Sequence, residues 1–334
     1  MTARDKTLKL AAIGTLLLAG LLGSGAAGAM DTTRPEIARF IDDVSARQHV
    51  DKTWLRHLLE DAQSKQSIID TMTKPAEKVR PWFEYRRIFV TEKRIRDGRA
   101  FYAEHRAIFD AAAAKTGVSA PVMVAILGAE TSYGRSVGTY RALDALSTLA
   151  FDYPPRSAYF RGELEQFVAL ARDGNLDPLT VLSSYAGALG APQFMPTNVR
   201  KLALDGDGDG VIDLYGNWAD VAESVANYLQ SFGWVRGEPL YAKATLADPD
   251  SEDLHSGLDL NTTAGTLRRQ GVLFDETVPP ATPALFVALR DADGPTFRVG
   301  FKNFWVITRY NHSLMYALAV SELAEAIGDP VAGP

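Results

Sequence analysis

The chain has 334 residues, with 35 basic and 41 acidic side chains and therefore a net charge of −6 at neutral pH. Apolar residues make up 46% and charged residues 23%, which are the proportions of a globular protein and exclude a disordered or fibrous chain. The acidic balance argues against a nucleic-acid-binding protein, whose surface is broadly basic. The absence of cysteine excludes disulfides, thiolate-bound zinc, iron–sulfur clusters and a cysteine nucleophile.

The N-terminus has the pattern of a secretory signal peptide. Three basic residues precede an uncharged run of 21 residues from Leu10 to Met30, and Ala27-Gly28-Ala29 has the small residues that signal peptidase accepts. We therefore predict a signal peptide over residues 1–29 and a periplasmic protein. The alternative is an uncleaved membrane anchor, because 21 uncharged residues can just span a bilayer.

Apolar residues spaced three and four apart predict helices along most of the chain before residue 235. The predicted helices are Glu36–Val44, Trp54–Ala62, Lys93–Thr116, Phe160–Ala171 and Asn217–Phe232. After Gly233, β-prone runs at Ala284–Leu289 and Phe297–Ile307 flank a turn sequence at residues 291–295, which predicts a hairpin. Helix returns at Ser313–Ala326. The predicted class is α+β, mainly α, with a small β subdomain inserted late in the chain.

Carboxylates are the remaining candidates for chemistry once the other motifs are tested. None of the five histidines belongs to an HExxH or another spaced metal pattern. A GxSxG elbow and a Walker A sequence are absent. Gly206, Gly208 and Gly210 alternate too closely for the dinucleotide-binding GxGxxG pattern.

Glu130 differs from the other acidic residues because it closes a nearly unbroken apolar helix that begins at Pro121. Ile126 and Leu127 lie four and three residues earlier, so the Glu130 side chain projects from the buried face. The helix is predicted to end at Gly134. Apolar neighbours and a helix C-terminus both disfavour negative charge and raise the pKa of a carboxyl group. The helix alone fits a general acid for glycosidic cleavage and a structural glutamic acid equally well.

Residues 205–216 have the spacing of a calcium-binding EF-hand loop. Aspartates occupy positions 1, 3 and 5, and a glycine follows at position 6. Position 12, normally a glutamate, is Gly216, so a carboxylate from the next helix would close a longer loop. The candidate ligands are Asp205, Asp207, Asp209, Val211 and Asp220. The alternative is an acidic turn that binds nothing, but three aspartates at alternate positions repel without a cation, so we predict structural Ca²⁺.

Two further segments combine small, polar and aromatic residues. In residues 184–196, glycines allow close approach to the backbone, and Gln193 between apolar contacts suits the hydroxyl edges and apolar faces of a sugar. In residues 309–316, Tyr310 and Asn311 lie at a predicted strand-to-helix junction. The alternatives are a tight core turn for the first segment and helix capping for the second, and the residues alone leave them open.

Five segments, in their order and spacing, resemble the membrane-bound lytic transglycosylase B family of bacterial peptidoglycan-cleaving enzymes. They are Ala129-Glu130-Thr-Ser-Tyr-Gly134-Arg, Leu143-Asp144-Ala-Leu-Ser-Thr-Leu, Tyr159-Phe160-Arg-Gly-Glu163-Leu, Gly187-Ala-Leu-Gly190-Ala-Pro-Gln193-Phe-Met-Pro196 and Arg309-Tyr310-Asn311. The resemblance implies a lysozyme-like core over residues 101–235 with the calcium loop at 205–220. It also implies a helical N-terminal domain at 30–100, a small β subdomain at 236–308 and a C-terminal helix within 309–334.

The resemblance implies that Glu130 is the catalytic acid/base. It implies that the groove around the cleaved bond contains Ser184, Gln193, Phe194 and Met195. It implies further groove walls at Tyr85, Arg156, Tyr228, Tyr310, Asn311 and Tyr316. Calcium at the aspartate loop and peptidoglycan glycan strands as the partner follow from the same resemblance.

The chain departs from the family pattern at two places. Pro155 precedes Arg156 where relatives can have two arginines, which puts one sugar or peptide contact in doubt. Leu21-Leu22-Gly23-Ser24 resembles a lipobox with serine at the position of the acylated cysteine, so no lipid anchor is expected.

The implied reaction cleaves the bond between N-acetylmuramic acid and N-acetylglucosamine with one carboxyl group and closes a 1,6-anhydro ring without consuming water. A hydrolase of the same glycan is the alternative if a second carboxylate activates water, and Glu163 is the nearest candidate for it. The other alternative is a glycan-binding scaffold without catalysis.

Overall fold

The computed structural model describes residues 28–73, 80–248 and 254–328, so the predicted signal peptide lies almost entirely outside the described residues. Helices form the larger part of the described chain. In chain order they are α1 (Pro35–Gln48), α2 (Lys52–Asp61), α3 (Gln66–Thr73), α4 (Trp82–Phe89), α5 (Glu92–Glu104), α6 (Arg106–Thr116), α7 (Ala120–Thr131), α8 (Ala142–Phe151), α9 (Ser157–Arg172), α10 (Pro196–Leu202), α11 (Trp218–Ser231), α12 (Ala264–Arg269), α13 (Lys302–Tyr310) and α14 (Leu314–Gly328), with a 3-10 turn at Pro154–Arg156.

The strands are short outside one sheet. In chain order they are β1 (Gly28–Ala29), β2 (Gln63–Ser64), β3 (Tyr140–Arg141), β4 (Leu182–Ser183), β5 (Tyr241–Leu246), β6 (Thr262–Thr263), β7 (Val272–Leu273), β8 (Pro283–Asp291) and β9 (Gly294–Gly300). β1 pairs with β2 and β3 with β4, while the other five form an antiparallel sheet in the order β6-β8-β9-β5-β7. The mainly helical α+β class and the late β subdomain are thereby confirmed.

Helix α7 lies at the centre of the main core. Its residues from Val122 to Gly128 are all buried, as expected for a helix that is apolar around its whole circumference. α14 packs along it, and α5, α6 and α11 lie against the same pair. A helix buried on every side is held rigidly, so its last turn is a fixed platform for a functional side chain.

The β subdomain has its own small core, which includes Phe286, Val299 and Phe301. The predicted hairpin is confirmed: Asp291 pairs with Gly294 across a two-residue turn. The predicted strand over Phe297–Ile307 is wrong beyond Gly300, where α13 begins two residues later. β-branched residues in α13 favour a strand locally, but Val306 and Ile307 are fully buried against the helical core, and this packing outweighs local propensity.

The single helix predicted over Lys93–Thr116 is two helices, α5 and α6, that meet at His105. The His105 ring packs between Phe101, with ring centroids 4.6 Å apart, and Trp218, with centroids 5.4 Å apart. These aromatic contacts with α11 fix a bend that hydrophobic periodicity cannot show, because the period continues on both sides of it.

Within residues 28–73, 80–248 and 254–328, no single helix is long and apolar enough to cross a membrane. α6 and α7 reach the required length and composition only together, and a bend of 118° separates them.

Candidate active site

Glu130 is the penultimate residue of α7, so the buried helix delivers its carboxyl group to the helix C-terminus. The helix ends at Thr131 and not at Gly134 as predicted, because Ser132 and Tyr133 both adopt left-handed backbone conformations, with φ of 51° and 64°. This conformation costs about 1–2 kcal/mol per residue for side chains other than glycine.

The Tyr133 side chain explains why the chain tolerates this backbone. Its ring fills space left by two glycines: a Cβ on Gly128 would lie 2.7 Å from the ring, and a Cβ on Gly98 would lie 2.4 Å from the hydroxyl. The hydroxyl donates to the Arg94 carbonyl at 2.7 Å. Tertiary packing therefore fixes the chain direction immediately after Glu130.

Glu130 is half-buried as a residue, and the surroundings of its carboxyl group favour the protonated form. Burial raises its pKa from 4.5 to about 7, and a hydrogen bond from the Tyr316 hydroxyl to Oε1 at 2.6 Å acts in the opposite direction. Tyr316 is 2% exposed and lies in the first turn of α14, where its N–H donates to the Ser313 hydroxyl. Glu130 is therefore held in orientation by a group whose own position is fixed.

Three more tyrosines surround this carboxyl group. A negative charge on Glu130 raises the pKa of Tyr85, Tyr228 and Tyr310, although burial is the larger cause for each of them. Tyr228 and Tyr310 lie with ring centroids 4.8 Å apart. Tyr228 donates to the Arg309 carbonyl at 2.7 Å, and Tyr310 donates to the Pro192 carbonyl at 2.6 Å. The structure thus brings together four of the predicted wall residues, all of them tyrosines.

The turn containing Gln193 is fastened directly to the end of α7. Thr131 Oγ1 donates to the Ala191 carbonyl at 2.9 Å. Gln193 has a left-handed backbone with φ of 54°, and its amide nitrogen donates to the carbonyls of Gly190 at 2.9 Å and Val137 at 3.1 Å. Since both amide hydrogens are used within the protein, Gln193 presents its carbonyl oxygen as an acceptor.

Ser184 shapes the start of the same segment. Its hydroxyl oxygen accepts the N–H groups of Ala188 at 3.1 Å and Ala186 at 3.3 Å. The hydroxyl hydrogen stays available as a donor, since both observed bonds use the oxygen as acceptor.

Phe194 and Met195 differ in exposure. Phe194 is 2% exposed and lies beneath the surface, with its ring 5.4 Å from that of Tyr228 and 6.0 Å from that of Tyr310. Met195 is half-buried at the start of α10. Phe194 therefore supports the tyrosines from behind, and Met195 is the more accessible of the two.

Arg156 lies over two aromatic rings, with its guanidinium carbon 4.5 Å from the Tyr159 ring centroid and 5.1 Å from that of Phe160. Tyr159 is 43% exposed, and its pKa is raised to about 12 by burial first and by Glu163 and Tyr228 in smaller measure. An exposed tyrosine close to Tyr228 extends the aromatic wall. The motif containing Tyr159 was visible in the sequence, but its exposure on α9 was not.

Asn311 has a side-chain oxygen whose hydrogen-bonding capacity is unused. Its side-chain oxygen is buried, and no hydrogen-bond donor reaches it among the residues that the structure describes. Asn311 follows α13 directly, so the predicted strand-to-helix junction is in fact a junction between two helices. A buried acceptor left unpaired costs about 1–3 kcal/mol, and an N–H or O–H group of a ligand would remove that cost.

No second carboxylate in the described part of the chain acts on the pKa of Glu130, whose causes are burial and Tyr316 alone. Glu163, the candidate for such a second group, is 5% exposed and its Oε2 accepts the N–H of Thr197 at 2.9 Å. Glu163 therefore joins α9 to the start of α10, which is a structural task.

The aspartate loop is a separate region between α10 and α11. One carboxylate oxygen from each of Asp205, Asp207 and Asp209 lies within 4.8 Å of the others. Asp205 accepts backbone N–H groups of Gly210 at 2.8 Å and Gly208 at 2.7 Å, which lower its pKa. Three carboxylate oxygens that converge fit the hard cation Ca²⁺.

Asp220 lies beneath this loop and is fully buried. Its two oxygens accept the N–H groups of Asp213 at 2.6 Å and Gly206 at 2.7 Å, and burial raises its pKa. Asp220 thus clips the two ends of the loop together through hydrogen bonds. Its service as a metal ligand, like that of the Val211 carbonyl, stays a prediction.

The fold and the site define a class: a helical glycan-cleaving enzyme with one carboxyl group in an aromatic groove. The chain matches the family model described as Transglycosylase SLT domain over residues 32–325. It is 35% identical over 302 residues to the Membrane-bound lytic murein transglycosylase B of Escherichia coli (strain K12), covering 88% of this chain and 82% of that protein.

Solved structures agree with this relationship. The soluble lytic transglycosylase SltB1 from Pseudomonas aeruginosa matches with a TM-score of 0.84 and 41% identity, covering 88% of this chain and 98% of that chain. The Escherichia coli lytic transglycosylase Slt35 in complex with calcium matches with a TM-score of 0.82 and 34% identity, covering 90% and 95%. SltB3 from Pseudomonas aeruginosa in complex with NAG-NAM-pentapeptide matches with a TM-score of 0.79 and 27% identity, covering 87% and 79%.

The chain therefore belongs to the transglycosylase SLT domain family, and it is a lytic transglycosylase of peptidoglycan with the lysozyme-like fold.

Proposed function

We propose that Glu130 alone performs acid and base catalysis in this enzyme, on the bond between N-acetylmuramic acid and N-acetylglucosamine. The observation that carries the proposal is a carboxyl group with a pKa raised to about 7, oriented by Tyr316, with no second carboxylate of the described chain acting on it. A carboxyl group protonated near neutral pH is a competent general acid.

In the proposed reaction Glu130 donates one proton and later accepts a different one. Glu130 protonates the glycosidic oxygen, the bond from muramic C1 to that oxygen breaks, and N-acetylglucosamine leaves as an alcohol. Positive charge develops on the muramic ring. The Glu130 carboxylate then accepts the proton of the muramic C6 hydroxyl, whose oxygen bonds to C1 and closes the 1,6-anhydro ring. Atoms and charge balance without water.

The surrounding residues bind and orient the glycan in this proposal. The half-buried rings of Tyr85 and Tyr310, with Met195 and Arg156 at the edges, suit the apolar faces of sugar rings. The buried rings of Tyr228 and Tyr316 complete the wall behind them. The unpaired oxygen of Asn311 and the carbonyl oxygen of Gln193 suit the N–H and O–H groups at the sugar edges. Ser184 contributes a hydroxyl donor, while Phe194 supports the wall.

We further propose that the Asp205, Asp207 and Asp209 carboxylates hold Ca²⁺, with Asp220 and the Val211 carbonyl completing the site. The convergence of three carboxylate oxygens within 4.8 Å supports this, as does the calcium complex of the relative Slt35. The cation would stabilise the loop that follows α10. The N-terminal pattern supports export to the periplasm, where peptidoglycan lies.

The test is mass spectrometry of the products from purified peptidoglycan sacculi, with the wild type compared with Glu130→Gln. The proposal expects muropeptides lighter by the mass of one water than hydrolytic products, and none from the variant. Reducing ends in place of anhydro ends would identify a hydrolase, in which a second carboxylate activates water. A wild type that binds sacculi and releases nothing would identify a scaffold.

A further inference from the structure

We propose that Trp218, the half-buried first residue of α11, is a positioning residue for Glu130. The inference rests on the proposed function, because it concerns the acid/base group of that reaction. Trp218 acts through residues 131–134, the segment that follows Glu130 in the chain, which we call the exit turn. The exit turn contains three consecutive residues with left-handed backbones, whose φ angles are 51°, 64° and 77°. Such a backbone persists only where its surroundings hold it.

The ring of Trp218 lies directly on the Gly134 backbone. A Cβ on Gly134 would lie 2.5 Å from Cη2 of the ring, so glycine is the residue that admits the ring so close. The Gly134 N–H donates to Thr131 Oγ1 at 3.0 Å, and Thr131 directly follows Glu130. The contact at Gly134 therefore reaches the last turn of α7 through one hydrogen bond.

Trp218 also supports the exit turn through a row of three aromatic rings. Its ring meets that of Phe101 edge to face, with centroids 4.8 Å apart, and Phe101 stacks with Tyr133 at 5.5 Å. Phe101 is 8% exposed and Tyr133 is 4% exposed, so both inner rings of this row are packed on all sides. Trp218 thus closes the row at its outer end, and its removal would leave the left-handed backbone of Tyr133 with less support.

The position of Trp218 is fixed from the other side by its neighbour Asn217. Asn217 caps α11, because its Oδ1 accepts the N–H of Ala219 at 3.0 Å. Its Nδ2 donates to Asp207 Oδ2 at 2.8 Å, which joins the start of α11 to the aspartate loop. A side chain that is itself fixed in this way can hold a neighbouring segment in one geometry.

The sugar-binding wall has supports that do not involve Trp218. The hydroxyls of Tyr228 and Tyr310 donate to backbone carbonyls at 2.7 Å and 2.6 Å. Loss of the Trp218 ring should therefore disturb Glu130 more than the binding of sugar. In kinetic terms, it should lower kcat and leave KM almost unchanged.

The first experiment measures kcat, KM and the pH profile of kcat/KM for Trp218→Leu. kcat should fall about tenfold, since an acid/base group that loses its orientation loses part of its contribution to the rate. The alkaline limb of the profile should move to lower pH, because a looser exit turn admits water and burial is what raises the pKa of Glu130. Loss of the Tyr316 hydrogen bond would move the limb in the opposite direction.

Trp234→Leu is the matched control. Trp234 is also half-buried, and its Nε1 donates to the Gly117 carbonyl at 3.0 Å. Gly117 precedes the start of α7, at the opposite end of that helix from Glu130. Trp234→Leu should cost stability and leave both kcat and the alkaline limb at their wild-type values. Equal effects of the two leucine substitutions on kcat and on the limb would overturn the proposal.

Trp218→Phe tests the same contact if Trp218→Leu does not fold. A phenyl ring keeps an aromatic contact with Phe101, but it is shorter than an indole ring and does not reach Gly134 as far as Cη2 does. The alkaline limb should therefore move in the same direction by a smaller amount. A limb that stays in place in Trp218→Phe would also overturn the proposal.

The ionisation of Glu130 can be followed without turnover. In protein labelled with carbon-13 at the glutamate carboxyl groups, the resonance that is absent from Glu130→Gln belongs to Glu130, and its titration gives the pKa of that group. This separates Glu130 from His105, whose ring also contacts Trp218 with centroids 5.4 Å apart. The other titratable groups that face Glu130 stay in every variant; they are Tyr85, Tyr228, Tyr310 and Tyr316.

This titration also separates the inference from the proposed function. A pKa of Glu130 that is lower in Trp218→Leu than in the wild type supports the positioning role, whatever the products of the active enzyme prove to be. Hydrolytic products from the wild type, together with that lower pKa in the variant, would overturn the proposed function alone. An unchanged pKa in Trp218→Leu would overturn the positioning role alone.

Discussion

The molecule places carboxyl groups in two opposite environments. Glu130 is a single group at the end of a buried helix, faced by tyrosines, and burial raises its pKa to about 7. Asp205 belongs to an exposed cluster of three on a loop, where backbone N–H groups lower its pKa. In the proposed function, the same functional group is a proton donor in one place and a cation ligand in the other.

The comparison shows that the role of a carboxylate depends on how many other carboxylates lie beside it and on how well water solvates it. An isolated, desolvated carboxyl group keeps its proton near neutral pH and exchanges it. Several exposed carboxylates that converge keep their charge and need a counter-ion. Asp220 shows the intermediate case, since it is buried yet has both oxygens occupied by backbone N–H groups. Its observed hydrogen bonds therefore hold the loop together, and its role as a metal ligand stays a proposal.

The largest expected effect is on turnover. Glu130→Gln removes the exchangeable proton and should lower the release of anhydro products from sacculi by at least about a thousandfold. Glu163→Gln makes the same chemical change at a buried glutamate, and it should leave anhydro products as the outcome, because its amide oxygen can still accept the N–H of Thr197. Loss of turnover in Glu163→Gln at unchanged melting temperature would show that two carboxylates share the chemistry.

The same variant should change how stability depends on pH. The pKa of Glu130 is raised from 4.5 to about 7 by folding, so its contribution to stability is present below pH 4.5 and is lost as pH rises through 7. The Glu130→Gln variant has no ionisable group at this position, so it does not lose this contribution to stability as pH rises. Its free energy of unfolding should therefore exceed that of the wild type by up to about 3 kcal/mol more at pH 8 than at pH 4, measured by urea unfolding at both values. A difference that does not change with pH would contradict the raised pKa.

Tyr316→Phe should act on both the rate and its pH dependence. The lost hydroxyl no longer favours the ionised carboxyl group, so the alkaline limb of the kcat/KM profile should move to higher pH. kcat below that limb should fall about tenfold, since the carboxyl group loses its orientation. Tyr241→Phe removes an equivalent bond, from a tyrosine hydroxyl to Glu325 at 3.0 Å, and should leave the profile in place. An equal shift of the alkaline limb in Tyr316→Phe and Tyr241→Phe would contradict a specific role for Tyr316.

Asp220→Asn should destabilise the protein with or without calcium. One side-chain oxygen becomes an NH₂ group that faces a backbone N–H, which costs about 1–3 kcal/mol in the free energy of unfolding. Thermal unfolding should show that the variant is less stable than the wild type by a similar amount in calcium-containing buffer and in a chelator. A loss confined to calcium-containing buffer would instead make Asp220 chiefly a metal ligand.

The smallest expected effect belongs to the exposed cluster. Chelation should lower the melting temperature of the wild type, and Asp207→Asn should remove most of that response, because one of three converging carboxylates is lost. The variant and the wild type should unfold together when calcium is absent. An unchanged wild-type curve in the chelator would contradict the predicted calcium site.

The sequence was sufficient where one local signal dominated. The apolar helix before Glu130 and the hairpin turn after Asp291 are both confirmed, since each depends on residues adjacent in the chain. It was insufficient where distant segments decide the outcome. The bend at His105 depends on a contact with Trp218. The left-handed end of α7 depends on how Tyr133 packs. The sequence of α13 favours a strand, but its burial against the helical core makes it a helix.

The candidate site was likewise only partly predictable from the sequence. The family resemblance implied the tyrosines and Gln193, but it could not show that Phe194 lies beneath the wall or that Tyr159 is exposed.

The position of Tyr316 also has a consequence for when the enzyme becomes active. The hydroxyl that orients Glu130 belongs to α14, the last helix of the described chain. A chain that has not yet folded this helix lacks both the orienting hydroxyl and the helix that packs along α7. In the proposed mechanism, full activity therefore requires the C-terminal helix to dock.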